Sequence, residues 1–420
     1  MRLSFNASTK RLTDFLTTGH RVWVSGLSSE SALLRDELIS DPTRAAGVTF
    51  LGLQFPGIDT IDYLGVHPEA RQTGFFMTPW LRKGLQEGRA ELMPMDYLAL
   101  AQHLQRCEPV DVAIAQLSLP DRDGWCSAGL CSDFLPLVWP RARRRVAHLN
   151  PRMPRTRGSF RVHMNELDGW VEAATPVLEL HERPAGRVEA AIGAHLTDVV
   201  RDGDTLQFGI GGVPMAAATA LSSHRGLKIH SGMLGPAART LWEKGALAAD
   251  APIVTGTVLG DEAFHDFACS LDGLWLTDVR QTHAPHVIAA RERFVAVNSA
   301  VEVDLFGQIN AERADGVIQA GAGGLPAFAL GANLSRGGRF VVCLPSIARR
   351  GTVSRIVPVL NSRALCTIPR HLADVVITEH GVAHLRGLSV HQRAEALIAL
   401  ADPTHQAALS DAWRALARAM

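Results

Sequence analysis

One pattern, written twice, constrains the fold of this chain more than any other feature. The run GHRVWVSGLSSESALLRDEL, opening at Gly19, alternates Val22 and Val24 as a strand does and breaks at Gly26. Ser28 or Ser29 can then cap an apolar-periodic helix. GDTLQFGIGGVPMAAATAL repeats the grammar: Leu206 and Phe208 in a strand, a glycine turn, and Pro214 placed like a first-turn helix proline. A strand-like run ending in a glycine-containing loop follows each opening, VTFLGLQFPG and LKIHSGMLGP. Strands alternating with helices of this length pair in parallel through crossover connections. The expected fold class is α/β: two open, mostly parallel sheet domains with helices on the sheet faces.

A length of 420 residues suits two domains of roughly 200 each. ATPVLELHERPAGRVEAAIGAHL passes from an extended, proline-bearing stretch into a new amphipathic helix, which places the boundary near Pro184. The expected domains are 1–184 and 185–420. The final DPTHQAALSDAWRALARAM spaces Leu409, Trp413 and Leu416 as a packed terminal helix.

Composition excludes several function classes. Lys plus Arg and Asp plus Glu are each 42, so no global field draws the chain to nucleic acid or an anionic membrane. The arginine-rich stretch from Arg141 to Arg157 is the one strongly basic feature, read as a solvated strand and loop. Apolar runs fall short of the roughly 20 residues that span a bilayer, and MRLSFNASTKRL lacks a signal-peptide core. The expectation is a cytoplasmic protein without membrane or nucleic-acid partners. Six scattered cysteines with no CxxC pair indicate neither a disulfide framework nor a zinc site, and no metal is expected.

Three glycine clusters are candidates for ligand contact. In GIGGVP, Gly209, Gly211 and Gly212 sit between strand and helix, where backbone N–H groups can receive phosphate or an oxyanion; a tight turn needs glycine for steric reasons as well. GAGGLPAF supplies Gly321, Gly323 and Gly324. GGRFVVCLPSIARRGTVSRIVPVL sets Ser346, Arg349, Arg350, Ser354 and Arg355 among strand residues, a cradle for an anionic cofactor tail.

Four runs make the pattern specific: VNSAVEVDLFGQINAE, GAGGLPAF, SRGGRFVVCLPSIARRGTVSRIVP and DVVITEHGVAHLRGLSVHQRAEALIALADP. In order and spacing they resemble the C-terminal half of single-chain CoA-transferases such as 4-hydroxybutyrate CoA-transferase, and of acetyl-CoA hydrolases. LPDRDGWCSAGLCSDF, NPRMP, MNELDGWVE and VEAAIG extend the likeness over nearly the whole chain. The resemblance implies two α/β domains of the CoA-transferase type, a CoA thioester as substrate or ligand, a small acceptor, and exchange through a glutamyl-CoA thioester. A carboxylate attacks the thioester carbonyl and then passes CoA to a second acid. A homo-oligomer is an open expectation.

The resemblance also marks two departures. The family's glutamate stands in a His-Ser-Glu-Met motif, and the matching run here is His230, Ser231, Gly232, Met233. Glycine is neither nucleophile nor base. A family Thr-Asn-x-Pro segment, whose asparagine helps hold the thioester oxygen, is matched by Thr282, His283, Ala284, Pro285, while Gly324 of the oxyanion loop is retained. Loss of a covalent nucleophile costs on the order of 10⁴ to 10⁶ in turnover.

His230, Ser231 and His283 are therefore the candidate replacements, histidine for proton transfer and serine for acyl transfer. Glu302, Asp304 and Glu379 read as scaffold, and Cys269 as a nucleophile only if exposed. The sequence supports first an enzyme on acyl-CoA, a diverged transferase, thioesterase or acyltransferase. A catalytically silent acyl-CoA binder comes second. A subunit completed by an active relative and a sugar-phosphate-binding protein on a related fold complete the set.

Overall fold

The computed structural model describes residues 8–420, with the Arg350 side chain outside the described residues. By contacts the chain divides into Met1–His181 with Val254–Gln281, and Glu182–Ile253 with Thr282–Met420. The first crossover lies three residues from Pro184. The second unit is interrupted, because residues 254–281 belong with the first; no composition shift at either end of that segment signals it.

Strands β1 (Arg21–Val24), β2 (Thr49–Gly52), β3 (Arg71–Gly74), β4 (Ala90–Leu92), β5 (Val112–Leu117), β6 (Arg144–Leu149) and β7 (Gly169–Glu172) form the sheet of the first unit. Their order is β4-β3-β2-β1-β5-β6-β7, with every pairing parallel. β5 is buried along its whole length, as expected of a central parallel strand covered on both faces. The helix Ala32–Ser40 starts where Ser31 Oγ accepts from Leu34 N–H, three and two residues beyond Ser28 and Ser29, the caps read from sequence. Leu34 and Leu38 of that helix pack with Val22, Phe50, Tyr63 and Ile114 in the core.

In the second unit β8 (Thr205–Phe208), β9 (Lys228–Leu234), β10 (Phe294–Ser299), β11 (Arg339–Cys343), β12 (Val375–Thr378) and β13 (Gly381–His384) lie in the order β9-β8-β10-β11-β12-β13. All pairings are parallel except the last. The α/β class and mostly parallel sheets expected from sequence are what the chain forms. Helix Gly212–Ala220 lies so close to helix Arg187–His195 that a Cβ on Gly193 would meet Ala216 C at 2.7 Å. Helix Leu325–Leu334 buries Phe328 and Ala332 against Phe294, Phe340 and Val342. Leu409 and Trp413 of the last helix join that core, matching the terminal helix read from sequence.

From β8 the chain winds first to β9 on one side and later to β10 on the other. Strand order therefore reverses beside β8, and at such a switch point the loops at the carboxyl ends diverge into a crevice. Gly209–Gly212 is the loop that leaves β8 there.

Candidate active site

Strand alternation decides how the His-Ser-Gly-Met run is presented. Successive residues of β9 face opposite sides of the sheet, so His230 and Gly232 share a face and Ser231 faces away. Ser231 Oγ donates to Phe208 O at 2.8 Å, tying β9 to the end of β8. His230 Nε2 lies 3.1 Å from Thr282 O, and because a carbonyl only accepts, that nitrogen carries the proton. The His230 ring also meets Phe294 edge-on at 5.9 Å. Ser231 and His230 thus point apart, and the structure does not bring them together as a nucleophile and base.

His283 packs on the face of β9 that His230 and Gly232 share. Its ring carbons and Nε2 lie against two glycines at once. A Cβ built on Gly232 would sit 2.6 Å from His283 Cε1 and 2.7 Å from Nε2. One built on Gly324 would sit 2.5 Å from both Cδ2 and Nε2. Both distances are below anything a real Cβ tolerates, so the imidazole fills the space that side chains at 232 and 324 would need. Phe328 covers the ring at 4.7 Å between centroids, and Phe328 in turn stacks on Phe294 at 6.3 Å.

The electrostatics follow from this enclosure. His283 is 3% exposed, and burial, with a smaller contribution from His230, lowers its pKa to about 3. The imidazole is neutral at physiological pH. Thr282 Oγ1 lies 2.7 Å from His283 Nδ1 and fixes the ring's orientation. A neutral imidazole so held can offer or accept one hydrogen bond, but it is a weak base.

The other candidates are placed as follows. Gly211 takes φ +108°, a conformation that requires glycine, and among the described residues beyond their chain neighbours no atom lies within 4 Å of where a Cβ on Gly209 or Gly211 would point. Gly211 N–H donates to Glu182 Oε1 at 2.8 Å, so a carboxylate stands at the loop expected to receive an anion. Gly323 takes φ +58° just before helix Leu325–Leu334, and Gly321 lies two residues earlier in the irregular segment that leads to it. Ser346 is buried and held by Glu379, its N–H and hydroxyl donating at 2.8 and 2.7 Å, so it is not free to cradle a ligand. Arg355 Nη1 donates to Ala300 O at 3.5 Å.

The carboxylates read as scaffold are engaged as such. Asp304 accepts from the N–H groups of Phe306, Gln308 and Leu360, and Glu302 accepts from Asn310. The Cys269 thiol is pushed up to about 11, chiefly by burial, and is inert near neutral pH. Among the described residues no group of three or more His, Cys, Asp or Glu is gathered as metal ligands, and no helix is long and apolar enough to cross a membrane.

The family resemblance places His283 near the vacated position 232; what it does not give is that the ring lies in the space a side chain there would take. Thr282 and Phe328 stand inside runs the sequence marks, Thr-His-Ala-Pro and GAGGLPAF, but neither is given a role there. Glu182 had no signal at all, being an acid 29 residues from the glycine it binds.

Comparison with known proteins identifies the family. Residues 7–179 match the acetyl-CoA hydrolase/transferase N-terminal domain and residues 260–413 its C-terminal domain. The chain is 35% identical over 357 residues to 4-hydroxybutyrate coenzyme A transferase of Clostridium kluyveri, covering 83% of each. It superimposes on RipA from Yersinia pestis with a TM-score of 0.87 at 26% identity, covering 97% of both chains. For 4-hydroxybutyrate CoA-transferase from Porphyromonas gingivalis the TM-score is 0.79 at 28% identity over 96% of both. With both family domains matched in order and this identity over most of its length, the chain belongs to the acetyl-CoA hydrolase/transferase family.

Proposed function

We propose that this protein binds an acyl-CoA thioester at the carboxyl ends of the second unit's strands and does not carry CoA on a glutamyl side chain. One observation carries the reading: the His283 ring occupies the space that a side chain on residue 232 would need. The two departures from the family motif are thus one change. A glutamate lost without replacement would leave a void, and a lone histidine gained would collide. Together they make a packed and neutral site.

The sequence ranks a diverged enzyme above a silent binder, and the geometry favours the reverse order. Ser231 is spent on Phe208 O, His230 on Thr282 O, and His283 is too weak a base to activate water efficiently. The open glycine loop at the switch point supports retained ligand binding. The Thr282–His283 contact favours one second reading, in which a neutral imidazole hydrogen-bonds the thioester oxygen while an external acceptor attacks.

The test pairs two measurements on one sample of purified protein. Acetyl-, propionyl-, butyryl- and longer acyl-CoAs are incubated while free thiol release is followed, and binding of the same ligands is measured by calorimetry. Binding without turnover is expected. Turnover abolished in His283→Ala would establish the second reading instead, and absence of any CoA or acyl-CoA binding would overturn both.

A further inference from the structure

The loop that leaves β8 is built to receive an anion yet already holds one. Gly209 and Gly211 leave its flank open, and Gly211 directs its N–H at the start of the nine-residue helix Gly212–Ala220. The partial positive charge of a helix start favours an anionic oxygen at that position. The oxygen found there is Glu182 Oε1, 2.8 Å from Gly211 N.

Three features distinguish Glu182 from an ordinary helix cap. Caps come from the residue at the helix start, whereas Glu182 reaches back from 29 positions upstream. It stands in a stretch, residues 173–186, that forms neither helix nor strand. Its second oxygen, Oε2, is buried and has no hydrogen-bond partner among the described residues. A buried carboxylate oxygen left bare is costly, and burial raises the pKa of the group from its ordinary value, against the opposing pull of the Gly211 N–H. Glu182 is therefore held by one N–H and penalised for being there.

A second acid lines the same turn. Glu189, on helix Arg187–His195, lies against Gly212, its Cγ 3.1 Å from where a Cβ would stand. Two carboxylates beside one helix start make the loop a poor host for a further negative charge while Glu182 stays in place.

We propose that Glu182 is an internal, displaceable occupant of the glycine loop, which an anionic oxygen of the ligand must evict in order to bind. The inference rests on the acyl-CoA reading above for the identity of that ligand. The oxygen belongs to a phosphate of CoA or to the carboxylate of a dicarboxylic acyl donor or acceptor; the two sources share the chemistry. The occupant sets both affinity and selectivity, since only a ligand whose other contacts repay the eviction can enter.

The experiment compares the full-length wild type with Glu182→Gln, Glu182→Ala and, as a control for surface charge, Glu292→Gln. Calorimetry is run with CoA, with pantetheine, which lacks the phosphates, and with succinate. Glu182→Gln keeps an acceptor for Gly211 N–H and removes the charge. Both Glu182 variants are expected to bind CoA or succinate at least tenfold more tightly than wild type, with pantetheine unchanged and Glu292→Gln behaving as wild type. A gain confined to CoA assigns the loop to phosphate, and one confined to succinate assigns it to carboxylate.

A wild type that binds CoA with Glu182→Gln binding equally or more weakly would make Glu182 a structural cap and overturn the proposal, leaving the acyl-CoA reading standing. An equal gain for pantetheine would also overturn it, because no anion would then be involved. If no protein binds CoA or acyl-CoA, the acyl-CoA reading fails and inorganic pyrophosphate decides the remainder. A thermal upshift in Glu182→Gln alone would retain the occupant, and no shift would remove it.

Discussion

The turn after the first strand can be compared between the two units, because both sheets reverse their strand order beside that strand. In the first unit the turn is closed. Gly26 has no room for a Cβ, with Leu53 O at 2.3 Å and Asp59 Oδ1 at 2.8 Å, and Leu27 is held at φ +55°. Asp59 accepts from Leu27 N–H at 2.7 Å and from Phe55 N–H at 2.5 Å, so each of its oxygens has a donor. In the second unit the turn is open, and among the described residues its carboxylate has one donor and one bare oxygen. The same topology thus carries a carboxylate built into the scaffold in one unit and one poised at a ligand loop in the other. What separates them is the number of backbone donors and the structure of the segment that supplies the acid.

The largest effect should come from rebuilding the site beside the open turn. Gly232→Glu alone collides with His283 and is expected to lower stability by about 1–3 kcal/mol through overpacking, without gaining transfer. Gly232→Glu with His283→Asn gives the carboxylate room. That double variant is expected to raise acyl-CoA:carboxylate CoA exchange by on the order of 10³ or more over wild type, the scale on which losing a nucleophile acts. Mass spectrometry of a trapped glutamyl-CoA adduct checks it. Equal activity in the single and double variants would mean that His283 does not gate the position.

Much of this was legible from residues alone, and the limit was physical. The doubled strand, turn and helix grammar located β1, β2, β8 and β9 because alternation, glycine and caps are local signals. The return of residues 254–281 to the first unit was hidden because long-range packing leaves no local trace. Gly232 and His283 were each visible as substitutions against the family motif, and the resemblance implied that they lie near each other, yet the packing of the ring into the space beside Gly232 joins residues 51 positions apart and shows only in the fold. Ser346 illustrates the converse: a serine beside arginines reads as an anion ligand, and only the fold reveals that Glu379 already holds it.

Deleting the two turn carboxylates sharpens the comparison on a smaller scale. Asp59→Ala leaves the N–H groups of Leu27 and Phe55 without their acceptor inside the first unit, and each buried unsatisfied donor costs roughly 1–3 kcal/mol. A loss of about 2–4 kcal/mol is expected by urea unfolding. Glu182→Ala removes one hydrogen bond and one bare oxygen, which offset each other, so a change of no more than about 1 kcal/mol is expected. Equal losses would erase the distinction between a scaffold acid and a displaceable one.

The smallest effects are in how stability depends on pH, where Asp59 and His283 should act in opposite directions. Burial, reinforced by Glu30, raises the Asp59 pKa from 3.8 to about 7. Between those values the folded chain holds a proton that the unfolded chain has released, so this group's contribution is present at low pH and is lost as pH rises toward 7. For His283 the folded pKa of about 3 lies below the ordinary 6.5. There the unfolded chain binds the proton, so the contribution of the neutral ring is present above pH 6.5 and is lost as pH falls toward 3. Between pH 4 and 6.5 the two slopes oppose each other, each at most about 1.4 kcal/mol per pH unit. Asp59→Asn should therefore make wild-type stability rise more steeply with pH across this window, and His283→Asn should make it rise less. Urea midpoints at half-unit pH steps measure both, and slopes moving in the same direction would show that one of the two groups is not buried in the state assigned to it.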